Sequence, residues 1–165
     1  MKPEIRNIQA SDWESVAAIY KMGIETGIAT FETKTPSWPV WDKAHIKSCR
    51  IAALINDKMV GWAALSPVSS RDVYRGVAEV SVYVNTNYGG RGIGTKLLQK
   101  LIIESENEGF WTLQSGIFPE NTASLKMHKK LGFREIGYRE KVGMTTKGVW
   151  RNNIILERRS KKIGV

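Results

Sequence analysis

Ala78-Glu79-Val80-Ser81-Val82-Tyr83-Val84-Asn85, followed by Tyr88-Gly89-Gly90-Arg91-Gly92-Ile93-Gly94-Thr95, is the stretch on which the fold turns. The first segment alternates strictly, so a strand over 78–85 places Val80, Val82 and Val84 on one face and Glu79, Ser81 and Tyr83 on the other. The second runs into a helix in which Ile93, Leu97, Leu98, Leu101 and Ile102 form one apolar stripe ending near Gly109. A strand feeding a glycine-rich turn that opens a helix is a general device for gripping phosphate. Glycine lets the backbone approach, the N–H groups of the first turn are free, and the helix dipole favours negative charge.

The turn is not a Walker loop, because no Gly-Lys-Ser/Thr closes it, and it lacks the downstream acidic residue of a dinucleotide fingerprint. Upstream, residues 3–8 read as a short strand. Ser11 and Glu14 have capping-box spacing ahead of a helical stripe of Val16, Ile19, Tyr20 and Ile24 that runs to about Gly27. After a Thr-rich loop, Ser37 can cap a second helix reaching Cys49. Strands at 50–55 and 59–67 flank Asn56-Asp57-Lys58, a hairpin signal, and residues 68–77 form a loop. Downstream, a strand at 110–118, a helix capped by Asn121 and running through Leu131, and strands at 133–142 and 147–157 complete the chain. This order predicts a mixed sheet with helices on its faces rather than a doubly wound parallel one.

With 165 residues, no internal repeat and no low-complexity linker, residues 1–165 are expected to form a single domain. No apolar run approaches the ~18 residues of a membrane span, and the N-terminus lacks the apolar stretch of a secretory signal. Cys49 is the single cysteine; it excludes an intrachain disulfide framework and, with the N-terminus, points to the cytoplasm. It is read as buried packing. With only His45 and His128 beside it, no clustered metal-ligand spacing exists and no metal is expected. The net charge of +9 is lopsided: residues 1–83 hold ten Lys/Arg against nine Asp/Glu, and residues 84–165 fifteen against seven. A basic half attracts polyanions, whether nucleic acid, an anionic surface or a phosphate-rich cofactor.

Val82-Tyr83-Val84, Gly90-Arg91-Gly92-Ile93-Gly94 with Leu97-Leu98, Asn121-Thr122-Ala123-Ser124 and His128-Lys129-Lys130-Leu131-Gly132-Phe133 together resemble the acetyl-CoA motifs of the GNAT acetyltransferases. Phe31-Glu32 with Pro36, Arg71-Asp72-Val73-Tyr74 and the 78–84 strand resemble the phosphinothricin and methionine-sulfoximine acetyltransferase branch. The resemblance spans about residues 3–157. It implies an α/β (α+β) fold with a mixed, mostly antiparallel central sheet splayed at the cofactor site and helices on both faces. It also implies acetyl-CoA as cofactor, a small-molecule amine as substrate, and a homodimer. Two positions depart from the family pattern: Gly89 stands where an Arg or Gln often begins the glycine loop, and Arg151 follows Trp150 where many relatives carry an acidic residue.

Under the resemblance, pantetheine pairs with the strand edge at Val82, Tyr83 and Val84. The pyrophosphate rests on the N–H groups of Gly90, Arg91, Gly92, Ile93, Gly94 and Thr95, and Asn121 fixes the other side. Amide synthesis from a thioester needs a neutral amine, so a base must take a proton from the ammonium; Glu79, near the expected thioester, is the candidate. The amine then attacks directly, with a backbone N–H near Val84 for the oxyanion. His128 occupies the place of the acid Tyr of many relatives. Phe31, Glu32, Arg71, Asp72, Val73 and Tyr74 are the expected acceptor pocket, with Arg71 for an α-carboxylate; Trp38, Trp41 and Trp62 are further candidates for its lining. The acceptor expected is the α-amine of a small amino acid or analogue. A protein N-terminus, a polyamine or an antibiotic stands as the enzymatic alternative, and a basic nucleic-acid-binding module as the rival class. Against that module, the aromatics do not interleave with a basic stripe, so no nucleic-acid partner is expected.

Overall fold

The alternation at 78–84 sorts the core as read. The computed structural model describes residues 2–165. Val80, Val82 and Val84 pack into one apolar cluster with Leu97, Leu98 and Leu101, whereas Tyr83 packs against a second cluster containing Val16, Ile19, Trp41 and Trp62. The two clusters lie on opposite faces of a single sheet, so helices are needed on both sides.

Across the described residues, seven strands form this sheet: β1 (Glu4–Asn7), β2 (Ile51–Ile55), β3 (Lys58–Pro67), β4 (Val77–Val84), β5 (Thr112–Ile117), β6 (Arg134–Met144) and β7 (Trp150–Arg159). Their spatial order is β1-β2-β3-β4-β5-β7-β6. Every neighbouring pair is antiparallel except β4 and β5. A parallel pair needs a crossover, and the helix α3 (Ile93–Asn107) supplies it while burying its apolar stripe over β2–β4. Helices α1 (Trp13–Glu25) and α2 (Trp38–Ala44) contribute Val16, Ile19 and Trp41 to the other face, and α4 (Thr122–Lys130) lies between β5 and β6 in sequence. The mixed, mostly antiparallel sheet with helices on both faces is thus the architecture observed. No helix among the described residues is long and apolar enough to cross a membrane.

Two local readings are corrected. The start of α1 is not held by Ser11 and Glu14: a single 3-10 turn at Ala10–Asp12 precedes it, and the Asp12 carboxylate accepts the Gln9 N–H at 2.7 Å and pairs with Arg6. The box is formed two residues earlier, by Gln9 and Asp12, and Arg6 holds the Asp12 carboxylate there. The second helix ends at Ala44, not at Cys49. Buried Arg50 reaches back and donates to the carbonyls of Asp42 and His45 at 2.8 Å and of Ile46 at 2.7 Å, so the chain is drawn out of the helix toward β2. Cys49 is buried as read, and its thiol is pushed up to about 11 by that burial.

Candidate active site

The pairing of β4 with β5 lasts three residue pairs, Val77↔Thr112, Ala78↔Leu113 and Glu79↔Gln114. Beyond Glu79, β4 continues to Val84 and β5 to Ile117 without pairing to one another, while the other edge of β4 stays bonded to β3 as far as Gly61↔Val84. The two parallel strands therefore splay, and one edge of Val80–Val84 presents backbone N–H and C=O groups with no sheet partner.

The loop that follows β4 prolongs this edge. Asn85 caps a short 3-10 turn by accepting the Asn87 N–H at 2.9 Å. Gly90 and Gly92 then adopt φ of 73° and 74°, the left-handed region that glycine enters freely, and Gly92 is the N-cap of α3. A Cβ built at either glycine meets nothing within 4 Å, so the loop lies open. The first-turn N–H groups of α3 have no acceptor within the helix, and the macrodipole adds positive potential there. Across the gap, Asn121 caps α4, its Oδ1 accepting the Ser124 N–H at 3.3 Å.

The splay opens into a cavity of about 500 Å³. Of the residues singled out from sequence, Phe31, Glu32, Glu79, Val82, Tyr83, Asn121 and His128 line it together. Val84 and Gly90–Thr95 lie outside its lining, further along the strand edge and its loop. Arg71, Asp72, Val73 and Tyr74 are not brought to the cavity; they form an exposed 3-10 turn in which the Arg71 guanidinium lies 5.4 Å from the Tyr74 ring centre. Among the tryptophans, Trp41 lines the cavity, Trp62 is buried beneath it, and Trp38 stacks on Trp41. The 29–36 loop is pinned over the cavity by Phe31, whose ring packs edge-on against Phe118 at 4.6 Å and rests on Gly143, where a Cβ would come within 2.6 Å of it.

Strand register explains which side chains meet. Glu79 stands opposite Gln114 on β5; Gly116 stands opposite Ile155 on β7; and Arg139 on β6 stands opposite Asn153 on β7. Directly opposed residues share a face, so Glu79, Gln114, Gly116, Ile155, Asn153 and Arg139 occupy one side of the sheet, and all six line the cavity. The Glu79 side chain reaches solvent through the cavity mouth, yet the protein around it pushes its carboxyl above the usual range by desolvation; the charge of Arg139 acts in the opposite direction.

His128 is 3% exposed. Its Nδ1 donates to the Ser124 carbonyl at 2.8 Å, which assigns the proton to that nitrogen and leaves Nε2 an acceptor without a protein partner. Burial lowers its pKa, so the ring is neutral near pH 7. Arg151, the departure beside Trp150, pairs with Glu120 at 3.5 Å. Sequence reading overlooked Gln114, Arg139, Asn153 and Tyr20 as cavity residues. Their strands were legible, but nothing local tells which face a residue on a distant strand will share.

Residues 4–133 match the acetyltransferase (GNAT) family. The L-amino acid N-acyltransferase MnaT of Escherichia coli (strain K12) is 30% identical over 161 residues, which cover 88% of this chain and 87% of that protein. A GNAT superfamily phosphinothricin acetyltransferase from Sinorhizobium meliloti, crystallised in complex with AcCoA, superposes with a TM-score of 0.89 at 26% identity, covering 99% of this chain and 91% of that one. The ribosomal-protein-alanine N-acetyltransferase from Brucella melitensis superposes with a TM-score of 0.88 at 28% identity, covering 95% and 99%.

Proposed function

Because the chain belongs to the GNAT acetyltransferase family, we propose that this acyltransferase uses acetyl-CoA to acetylate the α-amine of a small amino acid or analogue of the phosphinothricin or methionine sulfoximine type, and that residues 1–165 act as a single N-acetyltransferase domain. The observation that carries the reading is the splay: an unpaired strand edge and a glycine loop at one end, and a carboxylate-bearing cavity at the other.

The residues present suit acetyl-CoA. An extended edge with free backbone groups at Val82, Tyr83 and Val84 matches an amide-bearing pantetheine arm, and the open loop from Gly90 through Arg91, Gly92, Ile93 and Gly94 to Thr95 matches a pyrophosphate, with Asn121 on the opposite flank. Acetyl-CoA, when bound, supplies an activated acetyl thioester. Glu79 takes a proton from the incoming ammonium, directly or through water, because only the neutral amine is a nucleophile. A backbone N–H near Val84 faces developing negative charge. His128 arrives neutral, with its proton on Nδ1, so to act as an acid it must first take a proton at Nε2. Phe31 and Glu32 belong to the acceptor end, together with the aromatic wall of Tyr20 and Trp41.

The same reading includes a homodimer, supported by the exposed Ile136, Tyr138, Val142, Met144, Val149 and Trp150 on the β6–β7 hairpin. It also places the enzyme in the cytoplasm, as a single reduced cysteine suits. The test of function is a thiol-release screen with acetyl-CoA over free amino acids, their sulfoximine and phosphinic analogues, polyamines and peptides. Turnover of free amino acids is expected. The likeness to the Brucella enzyme supports one second reading, acetylation of a protein N-terminus; turnover confined to peptides would establish it instead.

A further inference from the structure

Arg139 stands apart from the other arginines. Among the described residues, Arg6, Arg50, Arg75, Arg134, Arg151 and Arg158 hold ion pairs, Arg159 donates to carbonyls of the C-terminal segment, and Arg71 and Arg91 lie over tyrosine rings. Arg139 has no such partner. It is exposed, yet it lines the cavity, on the same side of the sheet as Glu79.

The backbone around it is built to aim it there. From Arg139 to Gly143, β6 advances four residues while β7 advances two, from Asn153 to Arg151, so β6 bulges. Lys141 takes up the bulge at a φ of 45°, and its N–H is held by Asn152 Oδ1 at 2.8 Å. Bulges of this kind raise the local twist and redirect a side chain. Asn153, opposite Arg139, presents a buried Oδ1 with no partner on the same cavity wall. Buried acceptors are nearly always satisfied, so the ligand that completes this wall brings a donor to Asn153, as the ammonium of an amino acid does, and leaves the guanidinium of Arg139 for an anion.

An α-amino acid carries its amine and carboxylate on one carbon. A site that deprotonates the amine at one wall therefore needs an anion receptor within a few ångströms, and a guanidinium offers two parallel donors matched to a carboxylate. We propose that Arg139 is a specificity-determining residue that receives the acceptor's α-carboxylate while Glu79 faces the α-amine, which restricts the enzyme to free amino acids and their acid analogues. This rests on the amino-acid reading of the site, and it moves the carboxylate contact expected of Arg71 to a residue that lines the cavity.

The test is kcat/KM for a neutral amino acid and its carboxamide in the wild type, Arg139→Gln, Arg139→Lys and Arg71→Ala, with acetyl-CoA affinity by calorimetry as the check that each variant is folded. The wild type should prefer the acid by about 10- to 100-fold, the range of a charge-assisted bidentate contact. Arg139→Gln should remove most of that preference through KM, Arg139→Lys should restore part of it, and Arg71→Ala should keep it. A wild-type preference that survives Arg139→Gln, or that collapses in Arg71→Ala alone, overturns the assignment and leaves the amino-acid reading standing. Equal turnover of acid and amide by the wild type overturns the assignment too. Absence of any turnover of free amino acids overturns both. The α-amide of aspartic acid, which keeps only a side-chain carboxylate, is a further arm. If its turnover alone depends on Arg139, the guanidinium serves a side chain and the α-carboxylate assignment falls.

Discussion

Glu79 is pulled two ways. Desolvation by the surrounding protein raises its carboxyl above the ordinary range near ~4.3, and the Arg139 charge lowers it again, the first effect being the larger. The working form of a base is the ionised one, so kcat/KM should fall as pH drops through a value above the ordinary carboxylate range. Arg139→Gln removes the charge that favours ionisation and should carry that acidic limb to higher pH in a pH–rate profile. Glu79→Gln should lower kcat by roughly 10²–10⁴-fold if the carboxylate is the principal base, with acetyl-CoA affinity by calorimetry unchanged. A retained kcat and an unmoved profile would assign the proton to water. Glu79 was legible because strict alternation with Val80, Val82 and Val84 fixes its face locally. Arg139 was not, because its side depends on the one-residue slip of β6 between Glu135 and Gly137 and on the pairing with Asn153 that follows.

At the scale of the elements, the loop into α3 and the end of α2 contrast. Gly90 and Gly92 are in the left-handed region, as a tight turn into a helix requires, and their sequence announced it. Gly92→Val forces a β-branched residue to a φ of 74°. It should cost about 1–2 kcal/mol in urea denaturation and raise the KM for acetyl-CoA strongly; unchanged cofactor titration by a folded variant would remove the loop from the cofactor site. The end of α2 was not announced. Residues 45–49 carry no helix breaker, and what stops the helix is Arg50, whose guanidinium takes three carbonyls and the Asp42 carboxylate. Arg50→Ala leaves those acceptors and Asp42 without their cation and should destabilise the fold by about 2–3 kcal/mol, read from the urea midpoint.

At the scale of the whole molecule, the long β6–β7 hairpin projects a row of exposed apolar side chains, with Trp150 57% and Tyr138 59% exposed. If that surface joins two copies, Trp150→Glu should convert a dimer to a monomer in light scattering while the circular dichroism stays that of a folded chain; an unchanged mass would place the interface elsewhere. The sequence by itself determined the faces of β4, the glycine loop, the apolar stripe of α3 and the class of sheet, because each follows from a period of two, a period of 3.6 or a positive φ that neighbouring residues specify. Only the tertiary structure decided where β4 and β5 part, where β6 bulges, and hence that Glu79, Gln114, Arg139 and Asn153 share one cavity wall. Strand register is set by packing over the entire sheet, and a slip of one residue would turn every side chain of a strand to the opposite face. No local stretch of sequence contains that choice.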